Sequence, residues 1–333
     1  LFGIGMIVLS LVFFESAVLF FLFPLPLALL YLRKGERWFL GGGACMIACV
    51  VVASLLKTRF LAGIDLPEAA GSGVAVQQAM DVQVMHQLLF LEALVPFLVL
   101  LGVFIAYTSL FRNLRKVYRL VVATLLLAAV SIPLFRYFTA NEGLKLLFEN
   151  QMSIAAEAVR LSMTEPASFE SSLFNAMFNT EKLLSYVYEV MQKSYLAMYF
   201  TLIAGTVWVA DSIDRRLKGS TQRGFVAFAV PDPCIWALIA SLAGVLADLF
   251  FGMGSVAYLF WNWGAILLIL YGCAGIGIIS SLFERYKVRR GGRTLFWFLI
   301  IVLLLVPKVN FVCILGIPAL GVSELWIKFR EKT

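Results

Sequence analysis

Five long apolar runs, at 40–56, 88–111, 120–135, 235–251 and 258–283, limit what this chain can fold into more than any other feature. They approach or exceed the roughly 18 residues that a helix needs to cross a ~30 Å hydrocarbon layer. Hydrophobic residues make up 62% of the chain and charged ones 14%, whereas a soluble domain averages about 45–50% and about 25%. No single water-soluble core of this length could hide the excess, because a folded chain still exposes much of its surface. A bilayer acting as solvent removes the difficulty. The fold class expected is all-α: a polytopic transmembrane helical bundle of about 8–9 membrane helices, some short or broken.

The net charge of +7 does not point to nucleic acid, because the cations sit in short clusters between apolar runs. Arg33, Lys34 and Arg37 form the first, and Arg112, Arg115, Lys116 and Arg119 the second. Arg215, Arg216, Lys218 and Arg223 form the third, and Arg285, Lys287, Arg289, Arg290 and Arg293 the fourth. Together they hold 16 of the 27 basic residues, and alternate crossings place all four on one side. The positive-inside rule makes that side the cytoplasm. The expected location is therefore a bacterial cytoplasmic (inner) membrane, crossed several times, with the lipid bilayer as the first partner. The bacterial part follows from the family resemblance given below.

Three regions are expected: N-terminal membrane helices at 1–138, an extracytoplasmic segment at 139–186 and C-terminal membrane helices at 187–333. Residues 1–32 are interrupted by Glu15, Pro24 and Pro26, so they form either one broken helix or a tight pair. The stretch lacks a basic n-region and a small-residue cleavage site, which favours a membrane segment over a removable signal. Within 139–186, Leu144, Leu147, Phe148, Met152, Ala155 and Val159 recur at helical spacing, and a break follows at Thr164-Glu165-Pro166. This pattern predicts an amphipathic helical hairpin on the outer face. Pro307-Lys308 divides 294–327, predicting two short helices that return Lys328, Arg330 and Lys332 to the cytoplasm.

The sequence contains neither GxxxxGK nor HExxH, and one histidine rules out a His-rich metal site. No cofactor is expected, and no enzymatic activity. The five cysteines lie in or beside apolar segments and read as small buried hydrophobes. Gly272, Gly275 and Gly277 superficially resemble a dinucleotide loop but follow no strand. They read as close helix packing, as do Gly41-Gly42-Gly43-Ala44 and the stripe Ala240, Ala243, Gly244, Ala247. Asp232 and Pro233 mark a helix start. Trp261 and Trp263 read as interfacial anchors.

Ionisable residues inside apolar spans are more informative, because charge at the bilayer centre costs about 2.5–3.5 kcal/mol on translocon scales. Glu92, Arg136 and Asp248 qualify, and Glu15, which interrupts the 1–32 stretch, is a fourth candidate. Glu92 begins an inward-running helix, while Arg136 and Asp248 lie late in outward-running ones, so all three share a depth with His86 and Asn262. An Arg136–Asp248 pair would satisfy two charges that are costly alone. The five together, Glu92, Arg136, Asp248, Asn262 and His86, are the candidate substrate-binding set.

Three segments carry a family resemblance: Phe228-Ala-Val-Pro-Asp-Pro-Cys-Ile-Trp-Ala-Leu238, Tyr271-Gly-Cys-Ala-Gly-Ile276 and Gly321-Val-Ser-Glu-Leu-Trp-Ile-Lys-Phe-Arg330. With Pro24-Leu-Pro26 and Arg33-Lys-Gly35, they resemble the YybS-like family of predicted bacterial multi-pass membrane proteins. Cys273 departs from that family's pattern. The family is grouped with substrate-binding S components of energy-coupling factor transporters. The resemblance therefore implies a solute-binding subunit with an energising partner, and it carries over no ligand residue. The alternative is a non-transporting membrane scaffold or a subunit of a cell-envelope complex.

Overall fold

The computed structural model describes residues 2–16, 19–62, 82–108, 114–139, 180–219, 228–306 and 309–330; within these, the side chains of 57–62, 82–92, 132, 134–139 and 180–185 are not described. The described residues form α-helices and one short 3-10 turn, with no strand among them. In chain order the helices are α1 (Phe2–Glu15), the turn Phe20–Leu22, α2 (Pro24–Lys34), α3 (Glu36–Ala62), α4 (Val82–Tyr107) and α5 (Lys116–Thr139). Then follow α6 (Thr180–Leu217), α7 (Cys234–Phe251), α8 (Ser255–Arg285), α9 (Arg290–Leu305) and α10 (Asn310–Ser323). Four segments among the described residues are long and apolar enough to cross a membrane: Glu36–Leu56, Tyr186–Leu217, Cys234–Phe251 and Ser255–Arg285. Phe2–Glu15, Ala93–Tyr107 and Asn310–Ser323 are shorter apolar helices. Apart from the start of α6, the outer hairpin expected at 139–186 lies outside the described residues.

The chain forms two compact units, one of residues 1–191 and 202–214, the other of 192–201 and 215–333. In the first unit, residues 1–32 resolve into a pair of helices that pack on each other. Pro24 and Pro26 fall in the first turn of α2, where the missing N–H would have had no helical partner anyway. The rings of Phe14, Phe20 and Phe23 close the turn, with centroids 5.4–5.6 Å apart. The buried Ser10 hydroxyl donates to the Phe23 carbonyl at 2.6 Å, which satisfies a polar group in an apolar interior. A single residue joins α2 to α3: Gly35, at φ +90, a backbone conformation that side chains other than glycine rarely adopt.

In the second unit, α7 and α8 form a hairpin whose turn holds Gly252 and Gly254 at positive φ. The expected small-residue stripe on α7 is corrected by one face. Leu238, Ser241 and Gly244 are buried, while Ala240 and Ala243 are exposed. The contacts decide this register: a Cβ on Gly244 would fall on the Phe260 ring, and Gly264 faces Ser241. Where α8 meets α10, backbone touches backbone. A Cβ on Gly275 would land on the Ile317 carbonyl oxygen, and one on Gly321 on that of Tyr271. The run 294–327 is two helices, α9 and α10, as the proline break predicts.

Many large apolar side chains of the described helices are exposed. Phe251 is 84% exposed and Leu305 77%, and no residue of α9 is buried. Water would penalise such faces at roughly 25 cal/mol per Å², whereas lipid tails do not.

Candidate functional site

Two polar clusters sit on this apolar frame, one in each unit. The first gathers four helix ends. Asp211 and Asp214 lie one turn apart near the end of α6, so both point to one face. Tyr107, the last residue of α4, donates its hydroxyl to Asp211 Oδ1 at 3.0 Å. Lys116, the first residue of α5, donates to Asp211 Oδ2. Arg33, in the last turn of α2, pairs through Nε with Asp214 Oδ1 at 3.2 Å. Tyr31 stacks on Tyr107, ring centroids 5.1 Å apart, and donates to its carbonyl at 3.2 Å. Asp214 is buried at 6% exposure. The C-terminal ends of α2, α4 and α6 and the N-terminal end of α5 therefore meet at one end of this unit. The alternation of basic loops required that arrangement.

The second cluster surrounds two of the expected site residues. Asp248 Oδ2 accepts from Trp261 Nε1 at 2.9 Å, and Oδ1 accepts from the Met253 N–H at 3.0 Å. Lys193 stands 3.8 Å from Asp248 and 5.0 Å above the Trp261 ring, an ion pair combined with a cation–π contact. Asn262 is 3% exposed. Its Oδ1 accepts from the Leu196 N–H at 2.7 Å, while its Nδ2 donates to Gln192 O at 2.8 Å and Tyr258 O at 2.7 Å. The Leu196 N–H and the Gln192 carbonyl are partners in a regular helix. Here one side-chain carboxamide takes both, splinting α6 to α8. Trp261 thus serves as a hydrogen-bond donor in addition to any anchoring part.

A third arrangement joins the three segments that carry the family resemblance. Arg330 donates to the Phe228 carbonyl at 2.7 Å and the Ala274 carbonyl at 3.0 Å, and its Nε lies 2.7 Å from Glu324 Oε1. The Glu324 carboxyl is pushed above its ordinary value by burial, and the Arg330 charge pulls the other way. Burial lowers Arg330 in turn, opposed by Glu324. With Gly321 against Tyr271, this clasp fastens the segment after α10 to the α7–α8 hairpin.

Of the expected substrate-binding set, Asp248 and Asn262 both lie in the second unit, where Trp261, the residue before Asn262, donates to Asp248. His86 and Glu92 lie on α4 and Arg136 on α5, but their side chains, and with them the expected Arg136–Asp248 pair, fall outside the described residues. Glu15 ends α1, exposed. Asp211, Asp214, Lys116, Tyr107 and Lys193 did not figure among the sequence candidates. A signal existed: Asp211-Ser-Ile-Asp214 closes an apolar span directly before Arg215-Arg216. Those acids pass for loop residues until Lys116 and Arg33 are seen to meet them. Among the described residues no group of His, Cys, Asp and Glu is placed to hold a metal ion.

The family described as "Predicted membrane protein (DUF2232)" matches residues 88–318, more than half of the chain. No curated protein and no solved structure matches it.

Proposed function

The chain belongs to this DUF2232 family of predicted membrane proteins, and from that premise we propose that it is a solute-binding or transport subunit of a bacterial inner membrane. In this reading it is closed at its basic, cytoplasmic end and takes a small polar solute from the other side. The observation that carries it is the pair Asp211 and Asp214 near the end of a membrane-length helix, held by Lys116, Tyr107 and Arg33 from three other helices. The two carboxylates are largely buried while Arg33 and Lys116 stay partly exposed, and half-exposed pairs of this kind add little net stability. Apolar residues would hold four helix ends together at least as well. Polar contacts can part and re-form, as a closure that must open requires. His86, Glu92 and Arg136 lie toward the opposite ends of α4 and α5, where solute would enter. The chain catalyses nothing itself, and a partner subunit supplies energy, since the sequence carries no nucleotide-binding motif. The grouping of the YybS-like family with transporter S components, which the sequence resemblance implies, agrees with this reading.

The test is a thermal-shift screen of the purified full chain against water-soluble vitamins, nucleobases and amino acids, followed by uptake of any solute that stabilises it. Asp211→Asn and Lys116→Gln are expected to fold, to keep binding and to lose directional uptake. If no solute in the panel raises Tm, and both variants match the parent in every assay, the reading fails.

A second reading, a membrane scaffold within a cell-envelope complex, draws on the second unit. There Asp248 and Asn262 direct their hydrogen bonds to the chain itself, and α9 presents an unburied apolar surface. Blue-native electrophoresis of solubilised membranes separates the two. A scaffold migrates in a large assembly that breaks when α9 is given polar residues at Phe298 and Ile301, whereas a solute-binding subunit keeps its ligand shift after the same change.

A further inference from the structure

We infer that the joint between α2 and α3 is a binding site for the phosphate headgroup of an anionic phospholipid. An open recess of about 550 Å³ lies there, lined by Lys34, Glu36, Arg37, Trp38 and Leu40. Gly35 turns the chain so that the end of α2 and the first turn of α3 both border it. Lys34 and Arg37 are exposed and have no ion-pair partner among the described residues, unlike Arg33 next to them, which is held by Asp214. Glu36 offsets one of the two cations, leaving the recess one positive charge. That balance suits a phosphodiester better than a cation or a neutral solute.

The surroundings suit the rest of a lipid. Trp38 is 55% exposed, its ring resting on Gly3 of α1, so the indole stands at the mouth of the recess where headgroup and acyl regions would meet. Below it, Gly41, Ala44, Cys45, Ala48 and Cys49 are all exposed on one side of α3. Their small side chains leave a shallow trough, and a Cβ on Gly41 would meet nothing within 4 Å. An acyl chain can lie in such a trough while its phosphate engages Lys34 and Arg37. Free phosphate would use the two cations but gain nothing from the indole or the trough.

The experiment is native mass spectrometry of the full chain equilibrated with equal amounts of phosphatidylcholine and phosphatidylglycerol. Wild type is expected to retain phosphatidylglycerol preferentially, and the double variant K34Q/R37Q to lose that preference by about 25-fold, at about fivefold per charge. Glu36→Gln is expected to tighten it about fivefold. R289Q/R290Q, altering an equally basic helix start in the other unit, is expected to change nothing. As a second measurement in the unaltered protein, brominated phosphatidylglycerol should quench tryptophan emission more than brominated phosphatidylcholine, and Trp38→Phe should abolish the difference. Equal retention by wild type and K34Q/R37Q, displacement of the lipid by inorganic phosphate, or quenching indifferent to Trp38 would each overturn the inference.

Discussion

The two units join their helices by the same two means in different proportion. In the first, four helix ends are tied by charge and hydroxyl: Arg33 to Asp214, Lys116 and Tyr107 to Asp211, Tyr31 to Tyr107. In the second, α8 and α10 meet backbone to backbone through Gly275 and Gly321. Only at their margins do charges join in, through Asp248–Lys193 and Arg330–Glu324. Lipid explains why both solutions exist. Between helices in hydrocarbon there is no hydrophobic driving force, so association relies on close van der Waals packing and on polar contacts between helices. Ion pairs can be exchanged for other partners, which is what the proposed closure in the first unit would use.

The sharpest way to break this contrast is to put side chains where the backbones touch. Gly275→Leu and Gly321→Val should each prevent a monodisperse preparation, a destabilisation above about 4 kcal/mol. Gly41→Ala, with nothing within 4 Å of the new methyl, should behave as wild type in size-exclusion chromatography and thermal unfolding. Next in size comes Arg330→Ala, which strands Glu324 and releases the segment after α10. The cost should be about 2–3 kcal/mol, below the ~3–5 of a fully buried pair. Limited proteolysis should then cut in 324–330. In the first unit, Asp211→Asn and Lys116→Gln should each lower Tm by a few degrees, about 1–2 kcal/mol. The double variant should cost less than their sum, because the two share one interaction. Additive costs would mean that Asp211 and Lys116 act separately, and the contrast between the units would lose its basis.

The smallest effect concerns pH. Glu324 has its carboxyl raised by burial above the usual 4.5, so its protonated form is favoured in the folded state. Its contribution to stability is present below 4.5 and is lost as pH rises through the raised value. Glu324→Gln should therefore flatten the fall of Tm just above that pH and leave the curve below it unchanged. A pH scan of thermal unfolding checks this.

Much of this was legible in the residues. The apolar runs set the helices, Pro24 and Pro26 divide 1–32, and the basic clusters predict which helix ends share a side. Arg33, Lys116 and Asp211 then confirm that prediction within the first unit. The glycine at 275 was read as close packing, which it is. The stripe on α7 was misplaced by one face because Ala240 and Ala243 are as small as Gly244, and hydropathy cannot rank them. The sequence marks Asp248 as a costly charge but not its partners Trp261 and Lys193. By residue type Trp261 reads as an interfacial anchor, and Lys193 stands 55 positions away.

What the sequence determines by itself is therefore the solvent, the helices and their alternation, because each follows from local composition and from the penalty for charge in hydrocarbon. Pairing is decided only by the tertiary structure. Whether Asp211 meets Lys116, whether Asn262 splints α6, and whether Arg330 reaches Ala274 depend on the rotation and register of whole helices. Many weak contacts summed along their length set that geometry, and no single residue announces it.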